Sequence, residues 1–554
     1  MMVFCLWWGP GCGNGFCESS FMRSFLVHYE NIELKDAPYL AKYDLLDLNR
    51  FSYDDIGGQT WEVIRTLNPD VEIYLYMLGS ESTDYHDGHN VLNLNDLGRY
   101  NVSRGHSMGS LNGDNPELFL VDGVTQRIEN TAYPGNWLMD FGSTNYQSYW
   151  IEGVVTDIVQ QVWCADGIFI DNCPCPGVYE TKNPFGGPIP AAYPSAEDWN
   201  AGMIEFVAAV GSGMQAHGQD IFPNRGNTRI ENGYNGWLDM DQSTDPPRFA
   251  LEEGTFAVSY GPADVQFYSE ADWKRSVDIL AMLEHTRPAY QAHTDLTPDE
   301  PEGVDNYGQP VTFWQALWYA MCSYHLGRRD SPINAYFSFR AESGYGDYLW
   351  FDEYDLIDLG AALNTYETND CEGVSIYSRE FAKGYVLVNP TTTDVNSVLL
   401  PEPCVHLTHE NIHLPPVSLT VTGRVAVPSH HGVIVMRVDQ APVAMDDDVL
   451  TLENTAVTIS VLTNDAGYAG APVSIAWVGD PNHGRAQNLG THIRYEPAPG
   501  FAGVETFEYA ITDGARESQP GRVRIECNVL LDGPVGYWPM NEDDGCWTLD
   551  VSGN

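Results

Sequence analysis

The order of apolar runs and helical stripes predicts a multidomain chain, a (β/α)8 TIM barrel followed by all-β sandwich domains. Three observations predict it. Eight short apolar runs, at 25–30, 43–49, 73–78, 167–172, 220–224, 249–254, 289–293 and 334–339, have the length and composition of strands. Helical patterns alternate with them, as in a parallel sheet with crossover helices, and eight is the number that closes such a barrel. Beyond about residue 345 the pattern turns to short β-rich runs broken by Pro and Asn turns.

Residues 1–23 stay unassigned. They hold Cys5, Cys12 and Cys17 around a short apolar part without a basic lead or a clear cleavage site, so they do not read as a signal peptide. The barrel spans 24–344. Between its third and fourth strands lie about 80 residues, with hairpin-like runs at 118–122 and 137–141, in a place where substrate loops grow. Trp150, Val154, Ile158 and Val162 predict a helix over 146–162. Ser195 with Asp198, and Ser269 with Asp272, resemble capping boxes with Asp in place of Glu. Met203, Phe206, Val207 and Val210 form a core-facing stripe behind the first of them. No helix is evident between strands five and six, and 236–241 rivals 249–254 as strand six. Residues 345–440 predict a β-sandwich belonging to the barrel. Residues 441–530 predict a separate immunoglobulin-like sandwich of about seven short strands. Residues 531–554 predict the opening of one more domain.

The chain has 554 residues, long enough for three or four domains. Its 77 acidic and 27 basic residues give a net charge of −50, which repels nucleic acid and anionic membranes. No apolar stretch reaches the 18 residues of a membrane span. Aromatics make up 12%, which excludes a disordered chain and suits sugar faces as well as a large core. The 11 cysteines include no CxxC pair. Cys173 and Cys175, one proline apart, read as free thiols or as partners of distant cysteines rather than as a metal site.

The chemistry is sought where the barrel strands end. Strand four ends Ile168-Phe-Ile-Asp171-Asn172, a carboxylate set directly after large apolar residues. Strand six ends Ala250-Leu-Glu252-Glu253-Gly254. Alternation turns only one glutamate inward; Glu253 shares a face with Phe249 and Leu251, and Glu252 is the alternative acid/base. Asp239 and Asp241 stand in reserve should strand six be misplaced. Two carboxyls facing one cavity are what glycoside hydrolysis needs, with Asp171 as nucleophile and Glu253 as acid/base. Glu30, Asp47, Asn172, Asn224, His293 and Arg340, at or beside strand ends, form the expected substrate-binding shell. No P-loop, HExxH, GxSxG or GxGxxG motif occurs, and no cofactor is expected for catalysis. The expected partner is a polysaccharide or oligosaccharide, met outside the cell. Two other readings stay open: a glycan-binding or adhesion protein with a degenerate barrel, and a polysaccharide lyase.

Residues 24 to about 395 resemble the glycoside-hydrolase barrels of bacteria, in particular the group called glycosyl hydrolase-like family fifteen. The resemblance rests on Phe25-Leu-Val-His-Tyr-Glu30, Tyr43-Asp-Leu-Leu-Asp-Leu-Asn-Arg50, Asp166-Gly-Ile-Phe-Ile-Asp-Asn172, Tyr377-Ser-Arg-Glu-Phe381 and Val388-Asn-Pro390. It implies a nucleophile at Asp171 and a proton donor at Glu253. The module from Ala441 resembles cadherin-like or bacterial immunoglobulin-like repeats through Asp446-Asp-Asp448, Val461-Leu-Thr-Asn-Asp465, Gly500-Phe-Ala-Gly503 and Asp513-Gly514. Asp446, Asp448, Asp465 and Asp513 could together hold Ca²⁺, an ion that takes oxygen ligands. Residues 533–554 resemble the start of a laminin-G or concanavalin-like domain.

Overall fold

The computed structural model describes residues 22–29, 32–48, 58–83, 116–123, 126–155, 165–175, 179, 182–226, 236–259, 263–329, 334–341, 349–414, 419–438, 442–465, 472–514 and 516–528. The chain divides into two compact units, Met1–Arg437 and Val438–Asn554. The segments 1–21 and 529–554, with the expected laminin-G-like opening, lie outside the described residues.

All eight apolar runs of the first unit contain strands: β1 (Phe25–His28), β2 (Leu45–Leu48), β3 (Glu72–Leu78), β4 (Gly167–Asp171), β5 (Asp220–Pro223), β6 (Phe249–Glu253), β7 (Arg287–Thr294) and β8 (Tyr336–Ala341). β1 to β5 form one parallel sheet and β6 to β8 another, each in sequence order. Two parallel bridges join them. Asn224, after β5, pairs with Leu251 of β6, and Ser24, before β1, pairs with Phe337 of β8. The amide of Arg225 donates to the Leu251 carbonyl at 3.0 Å, and that of Phe337 to the Arg23 carbonyl at 2.9 Å. Each of the eight strands thus has a neighbour on both sides, in cyclic order.

Alternation along the strands sorts their side chains into one inner core and two outer ones, with Ala292, Phe337 and Phe339 in the third. Phe25, Tyr74, Phe169, Phe222, Phe249 and Tyr336 meet in one cluster, with rings in edge contact at 5.0–6.5 Å. The intervening residues, such as Ile168, Ile170 and Ala250, join a second cluster with the surrounding helices. Helix Ala196–Gln215 buries Met203, Phe206, Val207 and Val210, and its Ser195/Asp198 capping box has both halves. Helix Glu270–Met282 is capped by the Ser269 hydroxyl, which accepts from the Asp272 amide. Trp150 and Val154 lie on helix Thr144–Val154; Ile158 and Val162 lie outside the described residues.

Two expectations change. Residues Gly236–Asp241 form a helix, not a rival strand, because Trp237, Met240 and Asp241 fall on one buried face at helical spacing. Between 367 and 437 there is one six-stranded antiparallel sheet, not two stacked ones. Strand Val395–Leu407 shifts register twice against Val421–Val427, and such bulges bend a strand. The sheet curls, so Val398, Leu400 and Val425 pack on Ile376, Leu387 and Val433 of the same sheet. Its other face, through Tyr377, Val386 and Ile434, packs on helix Phe313–Gly327. In the excursion after β3 the two expected runs pair with each other, Phe119 bridging Met139; Glu129 bridges Trp137 across the turn at 130–136, and Glu81–Thr83 pairs with Asn136–Leu138. No helix of the described residues is long and apolar enough to cross a membrane.

The described residues of the second unit form a seven-stranded sandwich. Asp447–Leu452, Gly521–Asn528, Gly503–Thr512 and Ser474–Val478 form one sheet; Val457–Ile459, Ile493–Pro497 and Gly484–Asn488 form the other. Ile459, Ile493, Tyr495, Phe507, Val523 and Ile525 fill the space between them.

The aromatic filling of the ring depends on Gly167. A Cβ there would lie 2.6 Å from the Tyr74 ring and 2.3 Å from the Asp220 carbonyl oxygen. Gly167→Ala should therefore destabilise the first unit by about 1–3 kcal/mol, as overpacking does. Urea unfolding should show this as a lower midpoint with an unchanged slope, and an unaltered midpoint would refute the packing argument.

Candidate functional site

The side chains beyond the aromatic layer, at the carboxyl ends of the strands, are polar. Two residues on from Phe169 is Asp171, and two on from Leu251 is Glu253, so alternation turns both toward the ring axis. Glu252 points the other way. It is buried beside Cys175 and Tyr290, whose titrations its charge perturbs.

One amide joins the two inward carboxylates. Asn224 Nδ2 donates to Asp171 Oδ1 at 2.9 Å and to Glu253 Oε2 at 2.9 Å. Its own Oδ1 accepts from the Gly226 amide at 2.9 Å, which fixes which end of the side chain faces the acids. Asp171 has two further donors: Tyr76 Oη to Oδ2 at 2.5 Å, and its neighbour's backbone, Asn172 N to Oδ1, at 2.8 Å. Burial, then the charge of Glu253, raises the Asp171 pKa against these three donors.

The rest of the expected shell is placed unevenly. Asp47 is buried, and burial followed by the charge of Asp171 raises it well above the carboxylate range, with Tyr29 opposing. His293 Nδ1 accepts from the Ser259 amide at 3.1 Å, so the neutral ring carries its proton on Nε2. Burial, then the Arg340 cation, lowers His293 to about 3, with Glu253 acting in the opposite sense. Arg340 stands beside it in register on β8. Asn172 has a left-handed backbone, φ 59°, and its side-chain amide donates to Glu81 at 3.1 Å. Glu30 lies outside the described residues. The reserve acids are away from the site: Asp239 is exposed on its helix, and Asp241 accepts the backbone amides of Glu284, His285 and Thr286 at 2.7–2.9 Å.

Three residues at this end escaped the sequence reading. Glu81 is 1% exposed and accepts from Asn130 Nδ2 at 2.7 Å and Asn136 Nδ2 at 2.8 Å, besides Asn172. Burial raises it to about 7, with Asp171 adding and the three amides opposing. Its signal was a carboxylate three residues beyond the apolar run of β3, at the start of the long excursion. Tyr76 was hidden as one more aromatic within a strand. Arg225, fully buried, donates to the Cys173 carbonyl and Asn200 Oδ1, both at 2.9 Å, and so ties the loop after Asp171 to the segment after Asn224. Cys173 and Cys175 are buried free thiols. Gly79 lets the chain after β3 pass close behind Asp171, since a Cβ there would lie 2.9 Å from the Asp171 carbonyl oxygen.

The expected Ca²⁺ ligands of the second unit are not brought together. Asp446 accepts from the Arg522 amide, Asp465 from the Met445 amide and Tyr509 Oη, and Asp513 from the Arg516 amide; Asp448 faces Arg524. Each carboxylate holds its own turn or strand. Among the described residues no group of three or more His, Cys, Asp or Glu side chains is placed to hold a metal ion.

No curated protein matches the chain. Among solved structures, trehalose-6-phosphate hydrolase (TreA) of Bacillus licheniformis is 9% identical over 76% of this chain and 99% of its own, with a TM-score of 0.40. A noncanonic maltogenic alpha-amylase, AmyB, from Thermotoga neapolitana is 8% identical over 76% and 99%, with a TM-score of 0.36. An isomaltulose synthase mutant from Erwinia rhapontici NX5 is 9% identical over 77% and 100%, at 0.38. Residues 439–526 match a bacterial Ig domain. The model of the hypothetical glycosyl hydrolase family 15 matches residues 65–385, more than half the chain and all of β3 to β8, and the chain belongs to that family.

Proposed function

We propose that the eight-strand ring is a (β/α)8 barrel and that the chain is a retaining O-glycosidase, acting outside the cell on an oligosaccharide or polysaccharide. The observation that carries this reading is the Asn224 amide held between Asp171 and Glu253. The two hydrogens of a primary amide diverge by about 120°, so acceptors at those distances stand about 5 Å apart. Retaining enzymes hold their two carboxyl groups at about 5–5.5 Å, and inverting enzymes at about 6.5–9.5 Å.

Asp171 takes the role of nucleophile and Glu253 that of acid/base. Asp171 is held by three donors, which support its anion against the rise that burial and Glu253 impose. Two acids this close favour a single shared proton, and the retaining mechanism needs it on Glu253. In the first step an Asp171 oxygen bonds to the anomeric carbon as the glycosidic C–O bond breaks, and the Glu253 proton passes to the leaving oxygen. In the second, Glu253 takes a proton from water, whose oxygen displaces Asp171. The sugar leaves with its configuration retained. Secretion fits the strong negative charge and the appended immunoglobulin-like unit.

A screen of oligosaccharides and polysaccharides with reducing-end detection should find the substrate. With it, Asp171→Asn should lower kcat by more than about a thousandfold, since asparagine cannot attack. Glu253→Gln should lose about 10²–10⁴-fold, and less on aryl glycosides, which need little protonation. Azide should partly restore Glu253→Ala, while Glu252→Gln should show no such pattern. Full turnover by Asp171→Asn would end the glycosidase reading and bring forward the lyase or a non-catalytic glycan-binding role.

The pH profile has a sign of its own. The nucleophile must be ionised and its pKa is raised, so the acid limb of kcat/KM should lie above the ordinary aspartate range. Tyr76→Phe removes a donor to the anion and should move that limb to still higher pH. A limb that stays put or moves down would show that Asp171 does not control it.

A further inference from the structure

Glu81 does more than fill a gap beside Asp171. Asn130 and Asn136, whose side chains grip its two oxygens, bracket a tight turn. Within it the Asn136 amide donates to the Tyr133 carbonyl at 3.1 Å, and Asn130 Oδ1 accepts from the amides of Ala132 at 2.9 Å and Tyr133 at 3.3 Å. Outside it the Gly135 amide donates to Glu129 Oε1 at 2.7 Å, and Thr131 donates through its amide and its hydroxyl to the Phe185 carbonyl. The turn is therefore rigid, with its side-chain clamp one residue away, through Asn172, from Asp171.

What this turn presents is Tyr133, 65% exposed, carried on a backbone held by these hydrogen bonds. The charges of the site act on the Tyr133 phenol. Its pKa is raised first by loss of water on its protein side, then by Glu253, Asp171 and Glu81, with Arg340 opposing. An aromatic ring on a rigid turn has only two side-chain torsions to lose on contact, and the C–H face of a pyranose offers it an apolar partner.

We propose that Tyr133 is the stacking platform for a sugar ring bound at the Asp171–Glu253 pair, and that Glu81 is the positioning residue that holds its turn over the site. This rests on the glycosidase reading and adds to it a residue that binds substrate without taking part in bond making.

The test uses the full-length protein and the oligosaccharide found by the reducing-end screen. Tyr133→Ala should raise KM about tenfold with kcat within about threefold, the signature of binding shared by ground and transition states. Tyr133→Phe, which keeps the ring, should stay within about twofold of the parent in both constants. Thermal midpoints should be unchanged, as the side chain is largely exposed. Glu81→Gln, which replaces an acceptor oxygen by a donor facing amides, should raise KM in the parent but add little on a Tyr133→Ala background. A Tyr133→Ala protein with the parent KM overturns the platform. So does a Tyr133→Phe protein as impaired as Tyr133→Ala, since the hydroxyl rather than the ring would then carry binding. Either result leaves the glycosidase reading intact if Asp171→Asn remains inactive. Activity that survives Asp171→Asn removes both.

Discussion

Holding two carboxylates side by side at the carboxyl end of a strand ring is the constraint around which the first unit is arranged. Like charges at this range resist ionising together, and each needs donors once water is thinned out. Asn224 meets both needs with one amide, and its orientation is fixed by the Gly226 backbone rather than left to choice. The residue sits where the first parallel sheet hands over to the second, at the Asn224–Leu251 bridge. The joint that completes the cyclic order is thus also the joint that sets the distance between the acids. Arg225, next in sequence, pins the same joint from behind by holding the Cys173 carbonyl and Asn200.

The filling of the ring follows from the same requirement. Phe25, Tyr74, Phe169, Phe222, Phe249 and Tyr336 close the interior with interlocked rings, so the polar layer can lie only above them. Alternation then delivers Asp171 two residues after Phe169 and Glu253 two residues after Leu251. A one-residue slip on β6 would exchange Glu253 for Glu252 and carry Leu251 out of the interior cluster. The aromatic layer therefore fixes the register that the chemistry relies on.

Much of this was legible in the sequence because it depends on local pattern. The apolar runs that mark the eight strands, the serines that cap two helices, and the Asp171 and Glu253 ends all follow from periodicity of two or 3.6. What was not legible depends on contacts distant in sequence. Glu81 is recognisable only once Asn130, Asn136 and Asn172 converge on it from separations of 49, 55 and 91 residues. Asn172 looked like a cleft residue from its position, but its left-handed backbone aims the amide at Glu81. The helix at Gly236–Asp241 and the single curled sheet were misread for another reason. A six-residue run fits either period, and a bulge that bends Val395–Leu407 leaves no mark in an alternating pattern.

Acidic residues are abundant enough here that position alone cannot distinguish a working carboxylate from a structural one; the filling of lone pairs can. A carboxylate has about four acceptor sites. Asp241 takes the amides of Glu284, His285 and Thr286 and the side-chain amide of Gln242, a full set that leaves no site for a reacting atom. Asp465 accepts from the Met445 amide and the Tyr509 hydroxyl, and serves to tie strands. Asp171 takes three donors, two on Oδ1 and one on Oδ2, so Oδ2 retains a site while the charge stays supported. That combination, an anion held by donors yet not saturated, at a strand end and one amide away from a second acid, is what separates Asp171 from the other buried carboxylates. On the proposed mechanism, the same residue type locks a loop in one place and attacks carbon in another.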